Sequence, residues 1–109
     1  MKPDDLLKVT KFDSSVNKSE REMFIKILKT FSEKQCQMLL KFATAREKLP
    51  SQTQPGPVLI VDADRTKVDR CPTAATCFNQ LHLPSYSSYE IAKNLILKAI
   101  TYTGTFENK

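Results

Sequence analysis

Apolar residues recur at helical spacing in three stretches of the chain, and each stretch begins with a Ser followed three residues later by Glu or Gln. In such a capping box, the two side chains satisfy free backbone amides at the start of a helix. The boxes are Ser19 with Glu22, Ser32 with Gln35, and Ser87 with Glu90. The pattern therefore predicts three helices, each with one buried face. The predicted faces comprise Met23, Phe24, Ile27, Leu28 and Phe31, then Cys36, Leu39, Leu40 and Ala43, and finally Ile91, Ala92, Leu95, Ile96, Ala99 and Ile100.

A different pattern separates the second and third predicted helices. Residues 50–57 contain three prolines and one glycine, which predicts a loop. The β-branched run Val58-Leu59-Ile60-Val61 predicts a short buried strand. Residues 62–72 are polar and charged, so we expect a second, exposed loop after this strand.

Two further short strands are predicted at residues 75–79 and 81–83, and Pro84 is expected to end the second of them. The order of elements is therefore two helices, a small sheet and a closing helix. Such an order is typical of an α+β domain of two layers. We expect a small mixed sheet of about four short strands packed with three main helices.

The last residues, 103–109, follow the third predicted helix. Gly104 is placed to end that helix. Phe106 is then an isolated aromatic residue in a polar tail. Its ring either docks on another surface or folds back onto its own domain, and the sequence leaves both readings open.

Composition and charge exclude several classes of protein. A chain of 109 residues suits one compact domain. The formal net charge of +5 allows an anionic partner such as nucleic acid, but the basic residues are spread along the chain and interrupted by acids. The chain contains no apolar run of roughly 20 residues, and its charged N-terminus lacks the apolar centre of a signal peptide. We therefore expect a cytoplasmic or nuclear protein with no membrane span.

The three cysteines are Cys36, Cys71 and Cys77, and the only histidine is His82. Their spacing fits neither a zinc site nor a disulfide framework, so we expect free thiols and no metal. Cys36 lies on an apolar helix face and is predicted to be a core residue. Cys71 is expected in an exposed loop. For Cys77, the surrounding residues alone leave a structural and a reactive role open.

The residues around Cys77 form an ordered motif: Pro72-Thr73-Ala74-Ala75-Thr76-Cys77-Phe78-Asn79-Gln80-Leu81-His82-Leu83-Pro84-Ser85-Tyr86. This run resembles the active-site signature of HECT-type ubiquitin ligases, which shows Thr-Cys-Phe-Asn followed by a leucine pair, Pro and Tyr. The run Phe42-Ala43-Thr44-Ala45-Arg46-Glu47-Lys48-Leu49-Pro50 is also similar to the family. Phe106, fourth from the C-terminus, matches a phenylalanine that the family uses in ubiquitin transfer.

The resemblance implies a HECT C-lobe at residues 12–109. Residues 1–11 would then be a hinge or N-terminal segment from a larger lobe that the chain lacks. Three positions depart from the family pattern: Cys71 replaces a Leu, Ala75 replaces a His in many members, and Ala45 replaces a Gly. The absence of that His argues against a local base two residues before Cys77.

The resemblance further implies that Cys77 is the catalytic thiol, which accepts ubiquitin as a thioester and passes it to a substrate lysine. Thr76, Asn79 and His82 are expected to position the loop, although His82 is also read as an ordinary surface histidine. Phe106 is expected to anchor the tail during transfer, with Glu107 a weak candidate for the proton acceptor. The implied partners are ubiquitin, a conjugating enzyme, the larger N-lobe and a protein substrate, with no cofactor and no nucleic acid. The isolated lobe is expected to be a monomer.

Three other functions compete with this interpretation. The chain could be a ubiquitin-binding or regulatory module without catalysis, which the intact Thr76-Cys77 pair argues against. It could be a basic nucleic-acid module, an idea that only the net charge supports. It could also be a redox protein that uses Cys71 and Cys77, but these lie six residues apart and lack the C-x-x-C spacing.

Overall fold

The computed structural model describes residues 1–46, 48–49 and 58–106, except for the side chains of residues 103–106. Within that part, four α-helices and a four-stranded mixed sheet confirm the expected α+β fold, with one short helix more than predicted. The elements in chain order are α1 (Pro3–Lys8), β1 (Thr10–Phe12), α2 (Lys18–Leu28), α3 (Glu33–Thr44), β2 (Leu59–Val68), β3 (Thr73–Ala75), a 3₁₀ turn (Thr76–Phe78), β4 (Gln80–Ser85) and α4 (Tyr89–Phe106).

The sheet has the strand order β1-β2-β4-β3. β2 pairs in parallel with both β1 and β4, and β3 pairs antiparallel with β4 at one edge. Side chains alternate between the two faces of a strand, so one face carries the core leucines and valines and the other does not. The core face of β2 and β4 buries Leu59, Val61, Leu81 and Leu83. The opposite face, termed the open face below, carries Lys11, Ile60, Asp62, Asp64, Thr73, Gln80 and His82, all half-buried or exposed.

The helices cover the core face of the sheet. Helix α3 begins at the predicted capping box, because the Ser32 side chain accepts from the Gln35 amide at 3.1 Å and the Gln35 side chain accepts from the Ser32 amide at 2.8 Å. Its predicted inner face is confirmed, and the apolar faces of α2 and α4 join the same cluster. The buried helix residues of this cluster are Phe24, Ile27, Leu28, Cys36, Leu39, Leu40, Ala43, Ala92, Ile96 and Ile100.

The predicted start of α2 was wrong by two residues. Asn17 caps this helix by accepting from the Glu20 amide at 2.8 Å, and Glu20 returns the bond by accepting from the Asn17 amide at 2.9 Å. Ser19 and Glu22 have the same spacing but lie inside the helix. Asn caps a helix about as well as Ser, so the local pattern alone does not distinguish the two starts.

The predicted limits of α4 were also wrong. Ser88 rather than Ser87 accepts from an amide of the first turn, that of Ile91 at 3.2 Å. The helix continues beyond Gly104 to Phe106. Ile91, assigned to the buried stripe, is exposed and lies at its edge, whereas the stripe itself buries Ala92, Ile96, Ala99 and Ile100 as predicted.

Strand β2 is longer than predicted. The expected loop at residues 62–72 is wrong for its first part, because β2 continues to Val68. Asp62, Ala63 and Asp64 pair with His82, Leu83 and Pro84 of β4, so these polar residues occupy a central strand. Pro84 lies within β4 rather than after it. The predicted loop at residues 50–57 lies outside the described residues.

The N-terminal residues pack into the same core as the rest of the chain. Leu6 of α1 is 0% exposed, and Thr10, Lys11 and Phe12 pair with residues 59–61 of β2. The Phe12 ring meets the Phe24 ring edge to face, with centroids 5.9 Å apart. The assignment of residues 1–11 to a hinge from a larger lobe stays a prediction. None of the helices in the described part of the chain is both long and apolar enough to cross a bilayer.

Candidate catalytic site

Cys77 lies in the 3₁₀ turn that joins β3 to β4, at the edge of the sheet where β2 and β4 both begin. Its thiol is exposed. The prediction of a strand at residues 75–79 was therefore wrong beyond Ala75. The run Thr-Cys-Phe contains residues that favour strands, but the chain must reverse here so that β3 can pair antiparallel with β4.

Asn79 closes this turn. Its backbone is left-handed, with φ 55° and ψ 38°, a conformation that Asn tolerates better than most residues. Its amide donates to the Thr76 carbonyl at 3.2 Å, and its carbonyl accepts from the Ile60 amide at 2.8 Å. The turn that carries Cys77 is therefore tied to itself and to the start of β2. Thr76 and Asn79 thus make backbone contacts in the turn, and their expected role in positioning it stays a prediction.

Phe78 follows Cys77 in the turn and is 70% exposed. The sequence analysis did not assign it a role. An exposed aromatic ring is unusual for a residue of its size, and the only sequence signal was its place beside the cysteine. Phe78 and Cys77 are thus two adjacent exposed side chains in the turn.

His82 lies on the open face of β4 between the buried Leu81 and Leu83, as the alternating pattern predicted. Its Nδ1 is 2.6 Å from Oδ1 of Asp62 on β2, and the two residues are directly opposite in the parallel register. Both side chains are partly shielded, with 30% of His82 and 18% of Asp62 exposed. Asp62 was missed as a site residue because the sequence analysis placed it in a loop. The alternation in Val61-Asp62-Ala63-Asp64 is the signal that would have extended the strand.

The other two cysteines differ from Cys77 in burial. Cys36 is fully buried on α3, as predicted, and burial raises the pKa of its thiol. Cys71 is half-buried rather than exposed, in the connection between β2 and β3. Cys77 is thus the most accessible thiol of the three.

The connection that leads into β3 is held against the start of α4. Asp69 has φ 51°, and its amide donates to the Ser85 carbonyl at 2.9 Å. The Tyr86 hydroxyl donates to the Arg70 carbonyl at 2.8 Å. Burial raises the pKa of Tyr86, so its hydroxyl remains a donor at neutral pH. These contacts fix the path of the chain before the turn of Cys77.

Two residues named from the resemblance fall at the C-terminal end. Helix α4 extends to Phe106, so the expectation that Gly104 ends it is wrong. The side chain of Phe106 and all of Glu107 lie outside what the structure describes. Their expected roles stay predictions.

Comparison with known proteins places this site in a family. The family model described as "HECT-domain (ubiquitin-transferase)" matches residues 1–109. The chain is 31% identical over 105 residues to the mouse E3 ubiquitin-protein ligase HUWE1. The matched segment covers 89% of this chain and 2% of that protein. It is 33% identical over 93 residues to the E3 ubiquitin-protein ligase UPL6 of Arabidopsis thaliana, covering 79% of this chain and 9% of that protein.

A third relative is the E3 ubiquitin-protein ligase TOM1-like of Neurospora crassa, 33% identical over 87 residues, or 73% of this chain and 2% of that protein. The fold, the exposed cysteine turn and these matches define a HECT-type domain. The chain belongs to the HECT family. It spans only a small fraction of the length of these three relatives.

Proposed function

We propose that this chain is the cysteine-bearing catalytic lobe of a ubiquitin ligase and that Cys77 accepts ubiquitin as a thioester. The observation that carries the proposal is the exposed Cys77 thiol in a turn whose backbone is anchored on both sides. A thiol that must meet a thioester held by a second protein has to be accessible. Membership in a family described as ubiquitin-transferases supports the identity of the acyl group.

The proposed reaction has two acyl transfers. In the first, the Cys77 sulfur attacks the carbonyl of the thioester between ubiquitin and a conjugating enzyme. The new carbon–sulfur bond forms as the old one breaks, and the enzyme's cysteine leaves as a thiolate. In the second, a substrate lysine amine attacks the Cys77 thioester, a carbon–nitrogen bond forms, and Cys77 is released. Cysteine suits both steps because its thiolate is a strong nucleophile and a good leaving group.

Thr76 and Asn79 position the turn in this proposal and do not act as bases. Their contacts support that role, since the Asn79 amide and the Thr76 carbonyl close the turn around Cys77. Replacing Thr76 with Ala removes its side chain and should lower the transfer rate, but measurable activity should remain because this backbone contact is kept. Complete loss in Thr76→Ala would contradict a positioning role.

Phe106 is proposed to act in the second transfer alone, by anchoring the C-terminal tail while the lysine attacks. The Phe106→Ala variant should then form the Cys77 thioester at the normal rate and release it to lysine more slowly. Equal loss of both steps would show that Phe106 serves folding instead.

The test is a thioester assay without reductant. The chain, alone and fused behind the residues that precede the matched segment in HUWE1, is mixed with ubiquitin-charged conjugating enzyme. We expect an adduct of one ubiquitin that disappears with a thiol reductant, is absent in Cys77→Ala and persists in Cys71→Ala. No adduct with the fused protein across several conjugating enzymes would overturn the proposal and favour a non-catalytic ubiquitin-binding module.

A further inference from the structure

On the open face of the sheet, the side chains of Asp62 and His82 lie close together behind the turn of Cys77. The Ile60 amide of β2 donates to the Asn79 carbonyl, which is the first contact between β2 and that turn. In the register of these strands Ile60 is opposite Gln80, and two residues beyond that pair His82 Nδ1 lies 2.6 Å from Asp62 Oδ1. Strand β2 is therefore bonded to the turn through the Ile60 amide, and it is joined to β4 by the Asp62–His82 side-chain bond in addition to the backbone pairing.

The geometry also defines which ring nitrogen of His82 makes the bond. A carboxylate only accepts, so Nδ1 carries the proton and donates to Asp62. A hydrogen bond to a charged group is stronger than one between neutral groups. The other charged groups on this face are Asp64 and Lys11. The Asp64 carboxylate accepts from the Thr66 amide at 3.2 Å and lies 4.0 Å from the Lys67 ammonium. The Asp64 hydrogen bonds go to Thr66 and lower the pKa of Asp64, and His82 also contributes to this lowered pKa.

We infer that Asp62 is a positioning residue for the Cys77 reaction, acting through the Nδ1–H of His82 to hold β2 and β4 together behind the thiol-bearing turn. This inference rests on the proposed function of Cys77. The reacting sulfur and the thioester carbonyl must approach to about 3.5 Å with correct alignment, and a shift of about 1 Å can cost a hundredfold in rate. A bond that prevents β2 and β4 from separating protects that alignment.

The rate test uses variants that distinguish the role of His82 Nδ1 from that of Nε2. In His82→Asn, the amide nitrogen occupies nearly the place of Nδ1 and can still donate to Asp62, whereas His82→Ala removes the donor. We expect Asp62→Ala and His82→Ala to lower the maximal rate of thioester formation about tenfold or more, with little change in KM for the charged conjugating enzyme. His82→Asn should restore most of the rate. Asp64→Asn, which removes a neighbouring charge from the same strand, should behave like the wild-type protein.

A second readout does not depend on activity. Hydrogen exchange of the Ile60 amide reports the bond between β2 and the turn, and ring ¹⁵N shifts report the Nδ1–H tautomer of His82. Exchange at Ile60 should become at least tenfold faster in Asp62→Ala and His82→Ala but not in Asp64→Asn. All rates are compared at a temperature where each variant is shown by circular dichroism to be fully folded.

The outcomes distinguish this inference from the proposed function. If the wild-type fusion forms no thioester, the proposed function of Cys77 is overturned. The Ile60 exchange and the His82 ring shifts still test whether the Asp62–His82 bond holds β2 and β4 together. If His82→Asn reacts as slowly as His82→Ala, His82 acts through Nε2, and the positioning role of Asp62 is overturned. Wild-type rates and unchanged Ile60 exchange in Asp62→Ala would overturn it as well.

Discussion

The Asp69 carboxylate accepts two hydrogen bonds from Ser87: one from the backbone amide at 2.9 Å and one from the hydroxyl at 2.7 Å. These residues are 18 positions apart. The pair joins the end of β2 to the residues just before α4. It therefore joins the two ends of the segment that contains β3, the turn of Cys77 and β4.

This pair makes stability depend on pH in a defined direction. The Ser87 amide and hydroxyl hold the pKa of Asp69 below its ordinary value of 3.8. A carboxyl with a lowered folded-state pKa stabilises the fold fully above its unfolded-state pKa, and this contribution is lost as pH falls through the folded-state pKa. Asp69→Asn should therefore lower the free energy of unfolding at pH 7, and the deficit should shrink as the pH falls below 3.8. Asn tolerates the left-handed backbone at this position.

Urea denaturation of both proteins across this pH range is the measurement for Asp69. The control is Glu22→Gln, which removes an exposed carboxylate from α2. A deficit for Asp69→Asn that is the same at every pH would show that the charge of Asp69 contributes nothing.

The cap of α2 gives a direct comparison between sequence pattern and structure. Asn17→Ala removes the side chain that accepts from the Glu20 amide and should cost about 1 kcal/mol of stability. Ser19→Ala, at the start predicted from the sequence, should change stability by less than about 0.5 kcal/mol. Thermal or urea denaturation measures both. A larger loss for Ser19→Ala than for Asn17→Ala would contradict the observed start of the helix.

Ala45 ends α3 with φ 63° and ψ 13°, a left-handed conformation that is costly for a residue with a Cβ. Ala45→Gly should therefore raise the free energy of unfolding by about 1 kcal/mol. Ala45→Val should lower it, because a β-branched residue fits this conformation least well. The two variants are compared by urea denaturation, and a stabilising valine would refute the explanation.

Leu6 tests whether the N-terminal residues belong to the folded core. Its side chain is fully buried, so Leu6→Ala should cost about 3 kcal/mol by loss of burial and formation of a cavity. The half-buried Leu7 is the matched control, and Leu7→Ala should cost clearly less. Equal small effects of both variants on the urea midpoint would mean that α1 is dispensable for the core.

The three thiols should react at different rates with a maleimide under native conditions. Cys77 is exposed, Cys71 is half-buried and Cys36 is buried with a raised pKa, so labelling should follow that order. Cys36 should react only when denaturant unfolds the protein. Mass spectrometry of peptides after timed labelling gives each rate. Native labelling of Cys36 as fast as that of Cys77 would contradict the packing of α3.

Much of this protein follows from local sequence patterns. The inner face of α3 and its capping box at Ser32 and Gln35 were predicted because both depend on residues within two helical turns. The burial of Leu81 and Leu83 with His82 between them followed from the period of two in a strand. The motif around Cys77 indicated the family that the comparisons then showed.

The tertiary structure decided the rest, because strand pairing joins residues that are far apart in the chain. The polar residues 62–64 become part of a central strand only when β4 supplies their hydrogen-bonding partners. The pairing of Asp62 with His82 spans 20 residues, and no local pattern encodes it. The turn at Cys77 likewise forms because β3 and β4 must run antiparallel and Asn79 can adopt a left-handed backbone. The sequence thus determined the cysteine and its motif, while non-local hydrogen bonds determined how that thiol is presented.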